Sequence, residues 1–264
     1  MTNVFIMGLG EIGLNNAKYY REMGCTVSGW DIDWSARAIA REIGFQVMDE
    51  LEDSYLEDID VISISVATNV VYKVVQNLVE NFGLLDLNPL LIVESTVVPG
   101  TCMSIWDELL DKHMGIAHVP QRYWGEDPHG RGVRRKRVVA ASDDETFFRA
   151  IKFLKDVNML TFPVYGLEVA ELCKVAENAY RYVMIAYAEE LSNVCKELGI
   201  DFSAVKEAIE THQTIGYLLE PRNGIGGHCL PMAADIMENI SGFNHIISGA
   251  KEADLWYREE LRDK

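Results

Sequence analysis

Asn3-Val4-Phe5-Ile6-Met7 is a short apolar run that leads directly into Gly8-Leu9-Gly10-Glu11-Ile12-Gly13. The run predicts a β-strand, and the residues after the glycines, to about residue 23, have the pattern of a helix. A GxGxxG sequence between a strand and a helix is typical of a dinucleotide-binding Rossmann domain. The first glycine permits the tight turn, the second lets the backbone approach a pyrophosphate, and the third lets helix and strand pack closely. The helix N-terminus then stabilises the phosphates.

Asp31 follows the next predicted strand, residues 25–30, about 20 residues beyond the glycine turn. There a carboxylate accepts hydrogen bonds from the ribose hydroxyls of NAD and repels the additional phosphate of NADP. No arginine directly follows Asp31, so we predict NAD as the cofactor. A glycine-rich turn that binds no ligand is the alternative. The predicted cofactor-binding residues are Gly8, Gly10, Glu11, Ile12, Gly13, Asp31 and, at a later strand end, Ser95.

Strand-like and helical segments alternate along the first part of the chain. The further predicted strands are residues 45–48, 61–66, 91–94, 115–119, 137–141 and 159–164, with helices between most of them, notably residues 69–82 and 100–113. Such alternation predicts an α/β fold, with a doubly wound, mostly parallel sheet over residues 1–165 that binds ligands at the carboxyl ends of its strands. Ser95 and Thr96 follow one of these strands, where their hydroxyls either face the cofactor or belong to a loop and helix cap.

Residues 166–264 are predicted to form a smaller, all-α domain that begins with one long helix, Leu167–Leu198. Gly199 is placed to end this helix and Asp201 to cap the next one. Around residues 182–188 the helix is apolar on nearly all sides, so we expect it to be buried all round, in a homodimer. Glu171, Lys174 and Asn178 share one face of this helix and are either solvated side chains or part of a site.

A second glycine-rich stretch follows, Asn223-Gly224-Ile225-Gly226-Gly227-His228-Cys229-Leu230-Pro231. Three glycines within four residues let another group approach the backbone closely. Pro231 suits the first position of a helix, which we predict for residues 231–240. Cys229 would then lie just before a helix N-terminus, whose dipole favours a thiolate. We interpret Cys229 as a nucleophile; a small buried cysteine in a glycine-rich turn is the alternative.

The composition excludes several classes of function. The chain has 41 Asp and Glu against 24 Lys and Arg, a net charge of −17, which disfavours binding to nucleic acid or to an anionic membrane. No apolar run approaches the roughly 18 residues of a spanning helix. The cysteines and histidines lack metal-ligand spacing, so we predict no metal, reduced thiols and a cytoplasmic location. A basic cluster at residues 131–137 is either solvated or attracts a phosphorylated or carboxylated substrate.

Three separated stretches together resemble the UDP-glucose/GDP-mannose dehydrogenase family. They are the N-terminal glycine turn with Glu94-Ser95-Thr96-Val97-Val98-Pro99-Gly100-Thr101, then Glu171-x-x-Lys174-x-x-x-Asn178-x-Tyr180-Arg181, and Gly224-x-Gly226-Gly227-His228-Cys229-Leu230-Pro231. The resemblance covers the family's NAD domain and its central helical domain. It implies a dehydrogenase that oxidises the primary alcohol of a sugar or nucleotide-sugar to a carboxylate with two NAD.

The resemblance also implies roles for the matched positions. Cys229 would add to the intermediate aldehyde, Lys174 and Asn178 would stabilise the oxyanion, and Thr96 would help to place a water. A thiohemiacetal is again a hydride donor, and a cation beside its oxygen stabilises the developing charge. The candidate contacts to a phosphorylated or sugar-linked small-molecule substrate are Gln121, Arg122, Gly226 and Gly227.

The chain departs from the family pattern in four places. The family's third domain, which helps to hold the nucleotide, has no counterpart in this sequence. Gln121 stands where the family has a glutamate associated with thioester hydrolysis. Met232-Ala233 replaces a Lys-Asp or Val-Asp, and Val66-Ala67-Thr68-Asn69 stands where the family has a proline-rich Val-Pro-Thr-Pro. A glutamine can hold a water but cannot take its proton.

Two other functions remain open at this point. One is a two-electron dehydrogenase of the 3-hydroxyacid type, which also carries a Lys and an Asn four residues apart on a long helix but needs no cysteine. The other is an NAD-binding regulatory dimer without catalysis. The intact glycine-cysteine loop disfavours the first alternative, and the Lys174 and Asn178 pair disfavours the second.

Overall fold

A computed structural model describes residues 1–51, 56–125 and 132–262. These residues form one sheet of eight strands in the order β3-β2-β1-β4-β5-β6-β7-β8. Neighbouring strands are parallel, except β6 and β7, which are antiparallel. The strands are β1 (Asn3–Met7), β2 (Thr26–Trp30), β3 (Gln46–Val47), β4 (Val61–Ile64), β5 (Leu90–Val93), β6 (Ile116–His118), β7 (Arg137–Ala141) and β8 (Thr161–Pro163). The order from β3 to β6 is that of a Rossmann fold, which confirms the predicted fold class.

The helices follow the predicted alternation, with one clear exception. They are α1 (Glu11–Glu22), α2 (Trp34–Glu42), α3 (Val71–Asn81), α4 (Leu84–Leu87), α5 (Thr101–Ser104), α6 (Asp144–Asp156), α7 (Leu167–Leu198), α8 (Phe202–Glu210), α9 (Cys229–Asn239) and α10 (His245–Arg262). The predicted helix over residues 100–113 is instead the short α5 continued by a π-helical turn, Ile105–Leu109. It ends early because Asp111 and Lys112 have positive φ angles of 45° and 58°, which no right-handed helix contains.

The chain divides into two compact units, Met1–Leu172 and Cys173–Lys264, and the division falls within α7. In the first unit the central strands are buried, with Val4 and Ile6 of β1 and Ile92 of β5 fully inaccessible. They pack with residues of the flanking helices in one cluster: Ala17, Tyr19 and Tyr20 of α1 and Ala150, Phe153 and Leu154 of α6. Helices that pack on a buried parallel sheet are the arrangement that the near-continuous apolar strands require.

Arg137, one residue of the predicted basic cluster, lies in the interior of the first unit. Its side chain, like that of Glu94, is fully buried, and the two form an ion pair inside the first unit. The hydroxyls of Tyr20 and Ser63 each donate to Glu94 at 2.7 Å. Arg137 therefore cannot attract a substrate from solvent, and the prediction is wrong for this residue. Arg131 lies outside the described residues.

Helix α7 spans the predicted residues, but its middle is buried on one face only. Ala179, Tyr182, Ile185 and Ala186 pack in the second unit against residues of the same chain, namely Ile225, Leu230, Ala234, Ile247 and Ala250. The exposed fractions of Tyr180, Tyr187 and Val194 are 65%, 55% and 44%. The single chain therefore leaves one face of the helix exposed, and its burial in a homodimer stays a prediction. None of the helices in the described part of the chain is long and apolar enough to cross a membrane.

Candidate functional site

The first glycine turn is tight because two of its glycines touch backbone. Gly8 has a φ of +95°, and a Cβ there would lie 2.4 Å from the carbonyl oxygen of Ser65. A Cβ at Gly13 would lie 1.8 Å from the carbonyl oxygen of Gly8. Gly10 differs, because a Cβ there would meet nothing within 4 Å. Gly8 and Gly13 are thus required by packing, whereas Gly10 leaves open space in front of α1.

This open space suits a phosphate group. Gly10 is the N-cap of α1 and provides no side-chain hydrogen bond to the helix, so the first N–H groups of α1 can bind an anion. Glu11 and Ile12 form the start of that helix, with Glu11 exposed and Ile12 half-buried. The residues of the turn therefore fit the pyrophosphate of a dinucleotide.

Asp31 lies at the end of β2, beside the turn. Its carboxylate accepts hydrogen bonds from the N–H of Leu9 at 2.6 Å and of Asp33 at 2.8 Å. Asp31, the residue predicted to bind the ribose, is therefore hydrogen-bonded to the glycine turn itself. Arg37 was not predicted, because it lies six residues after Asp31 and not directly after it. Its guanidinium donates to the carbonyl oxygens of Asp31 and Ile32 at 2.5 and 3.1 Å.

Ser95 and Thr96 follow β5, as predicted, but their contacts differ. The Ser95 hydroxyl donates to the carbonyl oxygen of Val66 at 2.7 Å and accepts from the N–H of Val66 at 2.9 Å. Its side chain therefore joins the loops that follow β4 and β5. Thr96 is half-buried, and its carbonyl oxygen accepts from the Thr68 hydroxyl at 2.7 Å.

Glu171 holds the same loop from α7. Its carboxylate accepts hydrogen bonds from the N–H groups of Gly100 and Cys102 at 2.6 and 2.7 Å, around the start of α5. Burial raises the pKa of Glu171, and these two hydrogen bonds act in the opposite direction. Glu171, which shares a predicted helix face with Lys174 and Asn178, thus serves as a cap for the loop after β5.

Gln121 and Arg122, two candidate substrate contacts, are engaged inside the first unit. The Gln121 amide donates to Asn16 and its oxygen accepts from the N–H of Arg122 at 3.0 Å. Asn16 in turn donates to Glu94 at 2.7 Å. Arg122 donates to the carbonyl oxygen of Lys136 at 2.7 Å. Gln121 is 5% exposed, so its amide belongs to the buried network of Glu94 and Arg137.

Three of the predicted catalytic residues lie in the second unit. Asn178 is 6% exposed, and its Nδ2 has no hydrogen-bond partner among the described residues. A buried amide donor without a partner is rare in folded proteins, and an oxygen atom of a bound ligand would satisfy it. Lys174, one helical turn before it, is half-buried. Cys229 is exposed.

Helix α9 begins at Cys229 and not at Pro231, so the predicted helix start is wrong by two residues. The N–H of Met232 bonds to the carbonyl oxygen of His228 at 3.2 Å, which makes His228 the N-cap. Pro231 is the third residue of the helix, where its missing N–H removes no intrahelical bond. Cys229 remains in the first turn, where the helix dipole stabilises negative charge.

The core of the second unit brings the Asn178 and Cys229 segments together. Ala179 and Leu230, the residues directly after them, belong to one buried cluster. The candidate substrate contacts Gly226 and Gly227, which shortly precede α9, are exposed. A Cβ at either glycine would meet nothing within 4 Å, although the φ of Gly227 is +81°.

Two residues that support the cysteine loop were not predicted. Asp254 and Arg258 of α10 contact the backbone of Ile225. Their spacing of four residues, which pairs an acid with a following arginine on one helix face, was the available signal. Asp235, an alternative acid near the loop, is paired with Lys251 at 2.7 Å.

Comparison with known proteins supports the resemblance on which the site rests. Residues 168–246 match the sequence model of the UDP-glucose/GDP-mannose dehydrogenase family, central domain. The chain is 28% identical over 255 residues to a UDP-N-acetyl-D-mannosamine dehydrogenase of Methanocaldococcus jannaschii, with 86% of this chain and 59% of that protein covered. The chain thus spans less than two thirds of this relative's length. The predicted resemblance is confirmed.

Solved structures agree on the fold. A UDP-D-ManNAc dehydrogenase of Pyrococcus horikoshii superposes with a TM-score of 0.82 at 22% identity, over 97% of this chain and 69% of that chain. A 3-hydroxyisobutyrate dehydrogenase of Mycobacterium tuberculosis superposes with a TM-score of 0.71 at 17% identity, over 100% of this chain and 94% of that chain. At these identities the superpositions establish the fold.

Proposed function

We propose that this chain, whose residues 168–246 match the central domain of the UDP-glucose/GDP-mannose dehydrogenase family, oxidises an alcohol of a nucleotide-linked sugar with NAD. The observation that carries the proposal is the buried amide of Asn178, whose Nδ2 has no partner among the described residues. It lies on the same helix face as Lys174, and its segment packs beside that of Cys229. An amide donor, an ammonium and a thiol are the groups that a covalent aldehyde oxidation requires.

The reaction proceeds in four steps. The alcohol first loses a hydride and a proton to become an aldehyde. The Cys229 sulfur then bonds to the aldehyde carbon, and the oxygen, which becomes an anion, is stabilised by Asn178 and Lys174. Loss of a second hydride leaves a thioester on Cys229. Water then releases the carboxylate and restores the thiol. NAD, when bound, supplies the hydride acceptor, so two NAD and one water are consumed for each substrate.

The final hydrolysis is proposed to be slow. Both ends of the Gln121 amide are used inside the first unit, and Asp235 is paired with Lys251. A glutamine is in any case no base, and Asp235 is already bonded to Lys251, so neither residue is placed to take a proton from water. General-base assistance is worth about 10²–10⁴-fold, so the thioester should accumulate. Two other candidate bases, Glu126 and Asp127, lie outside the described residues.

Rapid-quench mass spectrometry tests this chemistry. The enzyme is mixed with NAD and UDP-N-acetyl-D-mannosamine, the substrate named for a relative, and then with other phosphorylated or nucleotide-linked sugars. We expect a covalent adduct on Cys229 that is lost in Cys229→Ala. The control is Cys173→Ala, which removes a half-buried thiol of α7. Full activity of Cys229→Ala with one NADH per substrate would instead support the 3-hydroxyacid type of dehydrogenase. NAD binding without NADH formation from any sugar would support the regulatory dimer.

We also propose that the cofactor is NAD and not NADP, because the Asp31 carboxylate lies beside the turn where the ribose binds. Titration calorimetry with both cofactors measures the preference. Asp31→Ala should reduce the difference between the affinities for NAD and for NADP. The control, Asp33→Ala, removes the cap of the neighbouring helix α2 and should leave that difference unchanged. Tighter binding of NADP by the unaltered protein would contradict the assignment.

The second unit is further proposed to form a homodimer, in the cytoplasm, through the exposed stripe of α7. Tyr180, Tyr187 and Val194 are spaced seven residues apart, so they line one face of the helix. Tyr187→Glu should give a monomer in sedimentation analysis without unfolding. Ala186→Glu is not a suitable test, because Ala186 is buried within the chain itself. A concentration-independent monomer for the unaltered protein would contradict the dimer.

A further inference from the structure

Helix α10 holds the cysteine loop by both backbone groups of one residue. The N–H of Ile225 donates to Asp254 Oδ1 at 2.7 Å, and the carbonyl oxygen of Ile225 accepts from Arg258 Nη2 at 2.7 Å. Asp254 and Arg258 are themselves joined, with Arg258 Nη2 2.9 Å from Asp254 Oδ2. The three residues form a closed ring of hydrogen bonds within the second unit.

Ile225 is a suitable anchor, because the loop is fixed on either side of it. Its side chain is fully buried in the core of the unit. Gly224 before it has a φ of +83°, and a Cβ there would lie 2.6 Å from Arg258. The loop therefore passes directly against the Arg258 side chain, and only glycine permits that approach.

Asp254 has the environment of a charged, fully engaged carboxylate. It is 4% exposed, and it also accepts from the Tyr182 hydroxyl of α7 at 2.9 Å. Burial acts to raise the pKa of Asp254, but the hydrogen bonds from Arg258, Ile225 and Tyr182 outweigh it and hold the pKa below its usual value. A carboxylate that bonds α7, α10 and the loop at once fixes the geometry of all three.

We propose that Asp254 and Arg258 are positioning residues that fix Cys229 through the backbone of Ile225. Cys229 follows Ile225 by four residues, and Leu230 beyond it is anchored in the same core. The thiol is therefore held from both sides, by the clamp at Ile225 and by the buried Leu230. A displacement of about 1 Å at a reacting group can lower a rate about 10²-fold. The role rests on the proposed function of Cys229.

Hydrogen exchange and kinetics together test the clamp. In Asp254→Ala the Ile225 amide should exchange about 10–100-fold faster, because it loses a charged acceptor. Formation of the Cys229 adduct from NAD and UDP-N-acetyl-D-mannosamine should slow about 10²-fold, with the KM for NAD unchanged. Asp254→Asn keeps one acceptor oxygen for Ile225 and should recover part of both losses. Arg258→Lys should show both losses, because one ammonium cannot reproduce the planar, two-sided contact that the guanidinium makes with Asp254 and Ile225.

Two controls separate positioning from general stability. Ile247→Val trims the same core and lowers stability without touching the clamp. Glu259→Gln alters the exposed neighbour of Arg258. Unchanged exchange at Ile225 in Asp254→Ala would overturn the proposal, as would a loss in the rate of adduct formation no larger than that of Ile247→Val. If the unaltered protein oxidises no nucleotide-linked sugar, the proposed function fails, and the exchange measurement still decides whether the clamp exists.

Discussion

The two glycine-rich loops of this chain are held in place in different ways. In the first, only glycine fits at two positions. A Cβ at Gly8 would collide with the carbonyl oxygen of Ser65, and a Cβ at Gly13 would collide with the carbonyl oxygen of Gly8. In the second, Gly226 and Gly227 have open space around them, and the loop is fixed at Ile225 by Asp254, 29 residues further along the chain. A loop whose conformation depends on close backbone contacts at its glycines can be recognised in the sequence from those glycines. A loop held by a distant helix cannot.

Each unit also contains an arginine–carboxylate pair, Arg137 with Glu94 in the first and Arg258 with Asp254 in the second, and these two pairs differ in burial. The side chains of Arg137 and Glu94 are both fully buried, whereas the Arg258 side chain is 38% exposed. Arg137→Met would leave Glu94 as an uncompensated buried charge and should destabilise the protein by about 3–5 kcal/mol. Arg258→Met should lose less, about 1–2 kcal/mol, because the Arg258 guanidinium is partly exposed to water, which screens the pair, and Asp254 keeps the hydrogen bonds from Ile225 and Tyr182. Urea unfolding of the two variants measures the difference; equal losses would contradict it.

Replacing a glycine by alanine should destabilise the protein strongly in the first loop and very little in the second. Gly13→Ala places a methyl group 1.8 Å from the carbonyl oxygen of Gly8 and should destabilise the protein by about 3 kcal/mol or more. Gly226→Ala meets no atom within 4 Å and should change stability by less than about 0.5 kcal/mol. Thermal unfolding compares them directly.

Gly10→Ala completes this set, because it separates binding from packing. No protein atom lies within 4 Å of its added Cβ, so the midpoint of thermal unfolding should remain near that of the unaltered protein. The methyl group would instead occupy the space in front of α1, and calorimetry should show weaker NAD binding. An unchanged NAD affinity would contradict the placement of the pyrophosphate at this turn.

The sequence predicted those parts of the structure that depend on neighbouring residues. The positions of most strands and the bounds of α7 follow from hydrophobic periodicity, which local side chains determine. Arg137 was interpreted as a surface charge because its partner, Glu94, is 43 residues away in the sequence. Pro231 indicated a helix but not its first residue, since proline is tolerated throughout the first turn. Asp254 and Arg258 were not predicted because their partner is the backbone of Ile225, which has no sequence signature.

The support of the cysteine loop also contains a buried carboxyl group that titrates near neutral pH. Glu189 of α7 is fully buried, and its Oε1 accepts from the N–H of Arg222, just before the loop, at 3.2 Å. Burial first, and then the charge of Asp254, raise the pKa of Glu189 to about 7, against the opposing effects of the Arg222 N–H and Arg258. Tyr182 and Tyr257 are the other titratable groups coupled to it.

This raised pKa predicts a stability that depends on pH. Between the unfolded pKa of a glutamate, about 4.3, and about 7, the folded state binds more protons than the unfolded state. Stability should therefore fall as pH rises through this window. Glu189→Gln mimics the protonated side chain, so it should leave stability at pH 4 nearly unchanged and increase it at pH 8 by about 3 kcal/mol. The matched control is Glu190→Gln, an exposed neighbour on the same helix, which should have no effect at either pH. Urea unfolding at both pH values decides the question: if Glu189→Gln gains nothing at pH 8, Glu189 is ionised in the folded protein below that window, and the cysteine loop is no more sensitive to pH than the glycine turn.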